Sequence, residues 1–147
     1  MSELQTKLEK ICRLPKDFHE AGVMTPPVLE ALHHHASGVS LRRSVETGCG
    51  KSTLLLSWLS ESHTVFTLDK YGDVPCESFE NVRDSSLLKQ NSVEFVLGPS
   101  QRTVPEYPFH SSLQLALLDG PHGFPFPMLE YYYIYPHLDR GALLIVD

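Results

Sequence analysis

The spacing of apolar residues in the first forty positions is that of helices. Apolar residues recur every three or four positions near the start, which predicts an amphipathic helix from Met1 to about Leu14, ended by Pro15. The recurring positions are Leu4, Leu8, Ile11 and Leu14. A second helix is predicted after Thr25–Pro26–Pro27, since threonine caps helix starts and proline suits a first turn. We therefore treat residues 1–40 as an N-terminal helical segment.

From residue 41 onward, short apolar runs of strand length alternate with stretches of helical length. The predicted strands are Leu41–Glu46, Thr64–Asp69, Ser92–Leu97, Leu113–Asp119 and Ala142–Asp147. The predicted helices between them are Ser52–Ser60, Cys76–Gln90, a short one near Thr103–Phe109, and Pro127–Leu138. Strands that alternate with helical crossovers form parallel βαβ units. The pattern predicts an α/β fold in one structural unit, with a doubly wound parallel sheet and helices on both faces.

Composition narrows the class of protein. The chain has 147 residues and a formal net charge of −6, which argues against a general nucleic-acid binder because such binding needs a basic face. The three cysteines, Cys12, Cys49 and Cys76, have no metal-type or redox-type spacing, which favours reduced thiols and a cytoplasmic location. No signal peptide is visible and no apolar run approaches the length of a membrane span, so we expect no membrane partner.

The stretch SVETGCGKST at residues 44–53 reads as a strand that turns through two glycines into a helix. Such a turn brings backbone N–H groups close to an anionic ligand. The end of the stretch looks like a triphosphate-binding loop, but the glycine required five places earlier is Val45, which rejects that class. A dinucleotide-binding turn is matched in part: Asp69 follows at a suitable distance, whereas Thr53 stands where the third glycine belongs.

Five features, in order along the chain, resemble the motifs of class I S-adenosylmethionine-dependent methyltransferases. They are Glu46-x-Gly48-x-Gly50 in the first turn, Asp69 after the second strand, Gly98–Pro99–Ser100 after the third, Asp119–Gly120 after the fourth, and Leu138–Asp147 leading into the fifth. The resemblance covers residues 41–147 and implies a Rossmann-like, S-adenosylmethionine-binding domain. It implies that the cofactor-binding residues are Glu46, Thr47, Gly48, Gly50, Asp69, Lys70, Ser100 and Asp119.

The resemblance is closest to branches that methylate small molecules at oxygen, so it implies a small-molecule acceptor. In metal-dependent members of those branches, an aspartate after strand four and an Asp-Asn pair after strand five hold a divalent cation such as Mg²⁺. Asp119 and Asp147 fall at matching places, and His122 stands at the position of the catalytic lysine. An imidazole there is a candidate general base or metal ligand. The lysine itself is absent, and no residue matches the third metal ligand.

The predicted last strand raises a further question. Members of this family continue past strand five, whereas this sequence stops on the apolar run Ala142–Asp147. Because an exposed apolar edge promotes pairing, we expect a shortened form of the fold, or a cover from the N-terminal helices or from a second copy in a homo-oligomer. Two other functions stay open: a non-catalytic Rossmann-like module, which the missing strands favour, and an NAD-dependent oxidoreductase, which Thr53 disfavours. Phe124 and Phe126 are candidates for the wall of an acceptor pocket.

Overall fold

The computed structural model describes residues 2–18 and 24–147, so Met1 and part of the predicted N-terminal segment lie outside the described residues. Its centre is a sheet of five parallel strands: β1 Arg43–Thr47, β2 Ser62–Thr67, β5 Val93–Leu97, β6 Leu113–Leu118 and β7 Leu138–Val146. The strand order is β5-β2-β1-β6-β7. A two-stranded antiparallel ladder, β3 Lys70–Tyr71 with β4 Val74–Pro75, follows β2. The strand order reverses direction between β1 and β6, which confirms the predicted doubly wound sheet.

The helices are α1 Glu3–Cys12, α2 Pro26–Ser37, α3 Lys51–Leu59, α4 Glu77–Arg83, α5 Ser100–Glu106 and α6 Phe126–Ile134. Short 3-10 turns lie at Lys16–Phe18, Gln90–Ser92 and Tyr135–His137. The prediction of a long helix over Cys76–Gln90 is wrong, because α4 ends at Arg83. The Ser85 hydroxyl accepts a hydrogen bond from the N–H of Leu87, and serine bonded to nearby backbone in this way competes with helix formation.

Apolar side chains alternate between the two faces of the sheet. On β6, Leu115 and Leu117 point to a core shared with α1, α2, α3 and α4, whereas Ala116 and Leu118 point to a second core shared with α5 and α6. Every side chain of β6 is buried, as expected for a strand covered on both faces. The predicted helices on both faces are therefore present.

The N-terminal helices share the first core with the sheet. Ile11 of α1 and Leu29 of α2 are fully buried in the same cluster as Leu55 of α3. The Lys51 ammonium donates a hydrogen bond to the carbonyl of Leu14 at 2.7 Å, which ties the end of the first helical segment to the start of α3. The described parts of residues 1–40 thus pack as part of the same unit as residues 41–147.

The strand β7 lies at one edge of the sheet. It pairs in parallel with β6, and its residues Leu144 and Val146 are 39% and 58% exposed. The helices α1 and α2 make their main contacts with α3, and Leu143 and Ile145 of β7 pack against the core that these helices share. Cover of the edge by a second copy stays a prediction. Among the described helices, none has the length and apolar character needed to cross a membrane.

The first testable prediction concerns the contact between the ends of β1 and β6. Gly48 has a φ of +88°, and a Cβ on it would overlap the carbonyl oxygen of Asp119. We expect Gly48→Ala to lower the free energy of unfolding by more than about 2 kcal/mol, since it adds this overlap to left-handed backbone strain of roughly 1 kcal/mol. The measurement is urea denaturation.

Two other glycines serve as controls. Gly72 also has a positive φ, +61°, but a Cβ there would meet no atom within 4 Å, so Gly72→Ala should cost about 1 kcal/mol. Gly123 has neither feature, and Gly123→Ala should change stability by less than about 0.5 kcal/mol. Equal losses for Gly48→Ala and Gly72→Ala would contradict a close contact between Gly48 and Asp119.

Candidate functional site

A cavity of about 560 Å³ opens at the carboxyl ends of β1, β2, β5 and β6. In an open α/β sheet this is where ligands bind, because the helices that follow β1 and β6 leave toward opposite faces. The lining residues are Gly48, Cys49, Phe66, Thr67, Leu68, Tyr71, Cys76, Ser78, Gly98, Pro99, Ser100, Gln101, Asp119, Gly120, Pro121, His122 and Phe126. Sequence reasoning named Phe126 as a candidate wall residue but missed Phe66, Leu68, Tyr71 and Cys76, which belong to no motif. Phe124, the other wall candidate, is 90% exposed and is not among the lining residues.

The first residue after each of three strands donates a backbone hydrogen bond to a carbonyl of the neighbouring strand. The N–H of Gly48 donates to the carbonyl of Phe66 on β2, and the N–H of Gly98 donates to the carbonyl of Thr67, both at 2.9 Å. On the other side, the N–H of Asp119 donates to the carbonyl of Thr47 at 3.2 Å. Each strand therefore fixes the first residue beyond the end of its neighbour, and this places the turns on one rim.

The glycine turn after β1 contributes to the cavity through Gly48 and Cys49. Gly50 is buried behind it as the N-cap of α3, where its N–H donates to the Thr53 hydroxyl at 3.0 Å. The lysine and serine that follow Gly50 also point inward, because Lys51 bonds the carbonyl of Leu14 and Ser52 donates to Glu46. The side chains of Lys51, Ser52 and Thr53 are therefore not placed to bind a phosphate in the cavity, which agrees with rejecting a triphosphate loop.

Glu46 lies beneath the turn and not among the lining residues. Its carboxylate is 1% exposed, accepts a short hydrogen bond from Ser52, and lies 2.9 Å from Nε2 of His63. Nδ1 of His63 lies 2.7 Å from the hydroxyl of Ser44. Through these contacts, the side chain of Glu46 on β1 links β1 to β2 and to the start of α3. His63 is a partner that no sequence motif marked.

Asp69 and Lys70, the residues predicted to bind after β2, stand between two lining residues, Leu68 and Tyr71, but do not line the cavity themselves. The carbonyl of Asp69 accepts a hydrogen bond from the N–H of Cys76 at 2.8 Å, which closes the β3–β4 ladder toward the site. Ser100, predicted to border the cofactor, is buried, begins α5 and does line the cavity.

Asp119 is the acidic residue of the described lining. Burial, followed by the negative charges of Glu46 and Asp147, raises the pKa of Asp119 to about 6. Nε2 of His122 lies 3.3 Å from its Oδ1 and opposes this shift. One ligand atom each from Asp119, His122 and Asp147 lies within 4.8 Å of the others. The three residues singled out for base or metal chemistry are therefore brought together.

Glu130 on α6 is a second buried acid that sequence reasoning missed. It is 1% exposed, and its Oε2 accepts a hydrogen bond from the Thr47 hydroxyl at 2.8 Å. Burial raises the pKa of Glu130, while the hydroxyls of Ser100 and Thr47 oppose the rise. Thr47, predicted to bind cofactor, is fully buried and supports the site from behind. Helical periodicity gave no signal for Glu130, because apolar and aromatic residues surround it on α6.

The chemistry of the lining is mostly apolar with one acidic end. None of the described lining residues is a lysine or an arginine, and Asp119 with His122 forms its titratable pair. Such a cavity suits a ligand with a planar or apolar body and a positive charge near Asp119. Its described lining offers no lysine or arginine for a phosphate or carboxylate group.

Comparison with known proteins agrees with this architecture. Residues 45–147 match the model of a methyltransferase domain family. An O-methyltransferase of Streptomyces achromogenes involved in tomaymycin synthesis, solved with SAM, superposes with a TM-score of 0.70 at 16% identity over all of this chain and 66% of its own. A methyltransferase of Podospora anserina, solved with SAH bound, gives 0.63 at 17% identity over all of this chain and 62% of its own.

A third solved structure also has a similar fold. Precorrin 8W decarboxylase of Methanobacterium thermoautotrophicum has a TM-score of 0.63 at 15% identity, over 90% of this chain and 70% of its own. This chain thus spans about two thirds of the length of the solved structures, and at these identities they show the fold. No curated protein sequence matches it. The family model covers most of the chain, which belongs to the methyltransferase domain family and has the Rossmann-like fold of class I S-adenosylmethionine-dependent methyltransferases.

Proposed function

We propose that the chain binds S-adenosylmethionine in the cavity at the carboxyl ends of the strands and transfers its methyl group to an oxygen atom of a small molecule. The observation that carries this proposal is the joining, in one cavity, of the glycine turn of β1 and the acid of β6. The complexes of two similar structures with SAM and SAH support the choice of cofactor. When bound, S-adenosylmethionine supplies an electrophilic methyl group on a sulfonium.

The residues around the cavity suit the parts of this cofactor. The backbone at Gly48 and Cys49, with no side chain on Gly48 in the way, suits the amino-acid end, and the segment from Gly98 to Ser100 suits the adenine. Asp69 stays our candidate for the ribose, since a carboxylate can accept hydrogen bonds from both hydroxyls of a diol. The remaining predicted residues, Glu46, Thr47, Gly50 and Lys70, would act by supporting these turns.

Asp119 and His122 are the residues that would act on the reaction. The pKa of Asp119 is raised by burial and then by the negative charges of Glu46 and Asp147, and a sulfonium beside Asp119 would offset those charges. His122 is exposed on the rim, where Asp119 can orient its ring, and could take the proton of an acceptor hydroxyl. Methyl transfer is otherwise an in-line displacement in which positioning dominates.

An uncharged acceptor fits this site better than an anionic one. The described lining carries no basic side chain other than His122, and the nearby charges of Asp119 and Asp147 would repel an anion. Phe126 and Pro121 give the same end of the cavity an apolar wall. These features favour a neutral hydroxyl compound with an apolar body. We also propose a cytoplasmic location, since the three free cysteines are compatible with a reducing compartment.

The cluster of Asp119, His122 and Asp147 also fits a divalent cation. Two carboxylates with an imidazole are ligands that Mg²⁺ or Mn²⁺ accepts, so these three residues would hold such an ion. Such an ion would lower the pKa of an acceptor hydroxyl, which makes the acceptor oxygen a better nucleophile.

The cofactor proposal is tested by binding of S-adenosylhomocysteine to matched aspartate variants. We expect Asp69→Asn to weaken its Kd by at least about tenfold, because a charge-assisted hydrogen bond contributes roughly 1.5–3 kcal/mol. Asp73→Asn, an exposed residue of the same hairpin, is the control. Calorimetric titration measures both, with NAD and ATP as comparison ligands. Tighter binding of NAD than of S-adenosylhomocysteine by the wild type would contradict the proposal.

The role of Asp119 is tested by comparing a charged with an uncharged form of the cofactor. S-adenosylmethionine differs from S-adenosylhomocysteine by a methyl group and a positive charge, and an ion pair at 4 Å contributes about 1–4 kcal/mol depending on solvent access. We expect Asp119→Asn to lower the ratio of the two affinities by roughly tenfold. In the wild type the ratio should fall as pH drops below about 6, because Asp119 then becomes neutral. The exposed Asp84→Asn serves as control, and an unchanged ratio in Asp119→Asn would place the sulfonium elsewhere.

The cation proposal is tested with Mn²⁺, whose binding can be followed by electron paramagnetic resonance. We expect Asp147→Asn and His122→Gln each to weaken Mn²⁺ binding by about tenfold or more, since each removes one of three protein ligands. His110→Gln, outside the cluster, should leave it unchanged. Equal Mn²⁺ binding by all variants would remove the metal from the account and leave His122 as a base acting alone.

A further inference from the structure

Glu130 is a buried carboxyl that the proposed methyl transfer does not use directly. It lies on α6, where Met128 and Tyr132 are 63% and 70% exposed, yet Glu130 itself is 1% exposed. Burying a carboxyl group is costly unless it is hydrogen-bonded. Its position therefore calls for a contact that a leucine at the same place could not make.

The first contact runs through the Thr47 hydroxyl. This hydroxyl donates its one proton to Oε2 of Glu130 at 2.8 Å, so its lone pairs are left to accept. It accepts from the backbone N–H of Asp119 at 3.1 Å, and the Thr47 carbonyl accepts from the same N–H at 3.2 Å. Glu130 thereby fixes the direction of the Thr47 hydroxyl, and Thr47 fixes the backbone of Asp119.

The second contact is with the next residue of the same segment. The carboxyl group of Glu130 occupies the place where a Cβ on Gly120 would stand, so any other residue at 120 would overlap it. Two successive residues, Asp119 and Gly120, are thus located by one side chain. Both line the cavity, and His122 follows two positions later.

We propose that Glu130, acting through Thr47, is the positioning residue that sets where Asp119 and His122 stand in the cavity. The role of Asp119 and His122 in methyl transfer rests on the proposed function, whereas their positioning by Glu130 does not. A carboxyl group on α6 therefore couples the helix after β6 to the end of β1.

The test compares variants that keep or remove the two contacts. Thr47→Val has nearly the same shape as threonine and removes the hydroxyl, whereas Thr47→Ser retains it; Glu130→Met removes the carboxyl group. The readout is amide hydrogen exchange by NMR at Asp119, relative to Leu115 and Leu117 in the preceding strand. Dividing the exchange rate at Asp119 by the rates at Leu115 and Leu117 corrects for any change in global stability.

We expect exchange at Asp119 to rise roughly threefold or more over the strand in Thr47→Val and Glu130→Met, because its N–H loses or weakens one of two acceptors and keeps the Thr47 carbonyl. Thr47→Ser should stay within about twofold of the wild type, because it restores the bond. If Thr47→Val and Glu130→Met protect the amide of Asp119 as well as the wild type does, the proposal is overturned. If either fails to fold, the comparison of Thr47→Ser with Thr47→Cys gives the same contrast with smaller changes.

A second readout separates this proposal from the proposed function. The ratio of S-adenosylmethionine to S-adenosylhomocysteine affinity should fall in Thr47→Val and return in Thr47→Ser, since Asp119 moves and is restored. A wild type that binds neither nucleoside, with exchange still raised in Thr47→Val, would refute the function and leave the positioning intact. Raised exchange with an unchanged affinity ratio would show that the segment moves without serving the cofactor, which overturns the link to Asp119.

Discussion

The close approach of Gly48 to the backbone of Asp119 is the constraint on which the site depends. Thr47 and Leu118 are partners in adjacent parallel strands, so the chain leaves the sheet side by side at the next two residues. The two strands then lead to helices on opposite faces, and the space between the departing chains becomes the cavity. A residue with a side chain at position 48 would fill the point of contact. The glycine therefore serves both the sheet and the cavity.

Three acids surround this point, and their different partners explain their different roles. Glu46 is enclosed and bonded by Ser52 and His63, and Glu130 is enclosed and bonded by Thr47. Asp119 alone of the three faces the cavity, and burial, followed by the negative charges of Glu46 and Asp147, raises its pKa to about 6. A protein that keeps an acid under such repulsion gains most from a ligand of opposite charge. This is the physical link between the fold and a sulfonium cofactor.

Local sequence patterns were sufficient to predict the strands of the sheet and the turns that follow them. Five apolar runs of strand length located the sheet, and the glycines with Asp119 located the turns at its carboxyl edge, because these depend on alternation and on backbone freedom. The buried position of Glu46 beneath the turn could not be predicted from the sequence. Its partner His63 lies on a different strand, and the two residues become neighbours only when β1 and β2 pair. Glu130 was missed for the same reason: its contacts with Thr47 and Gly120 are long-range, and its helix carries no clear polar face.

The most direct test of the central claim is NMR titration of the uniformly ¹⁵N-labelled protein with S-adenosylhomocysteine. Glycine amides report binding in the cavity and provide controls outside it. Gly48, Gly98 and Gly120 line the cavity, while Gly38 and Gly141 do not. The account predicts that the first three amide signals shift in a saturable manner and that the last two stay in place. Shifts at Gly38 or Gly141 with none at Gly48 would contradict it, as would a spectrum that the ligand leaves unchanged.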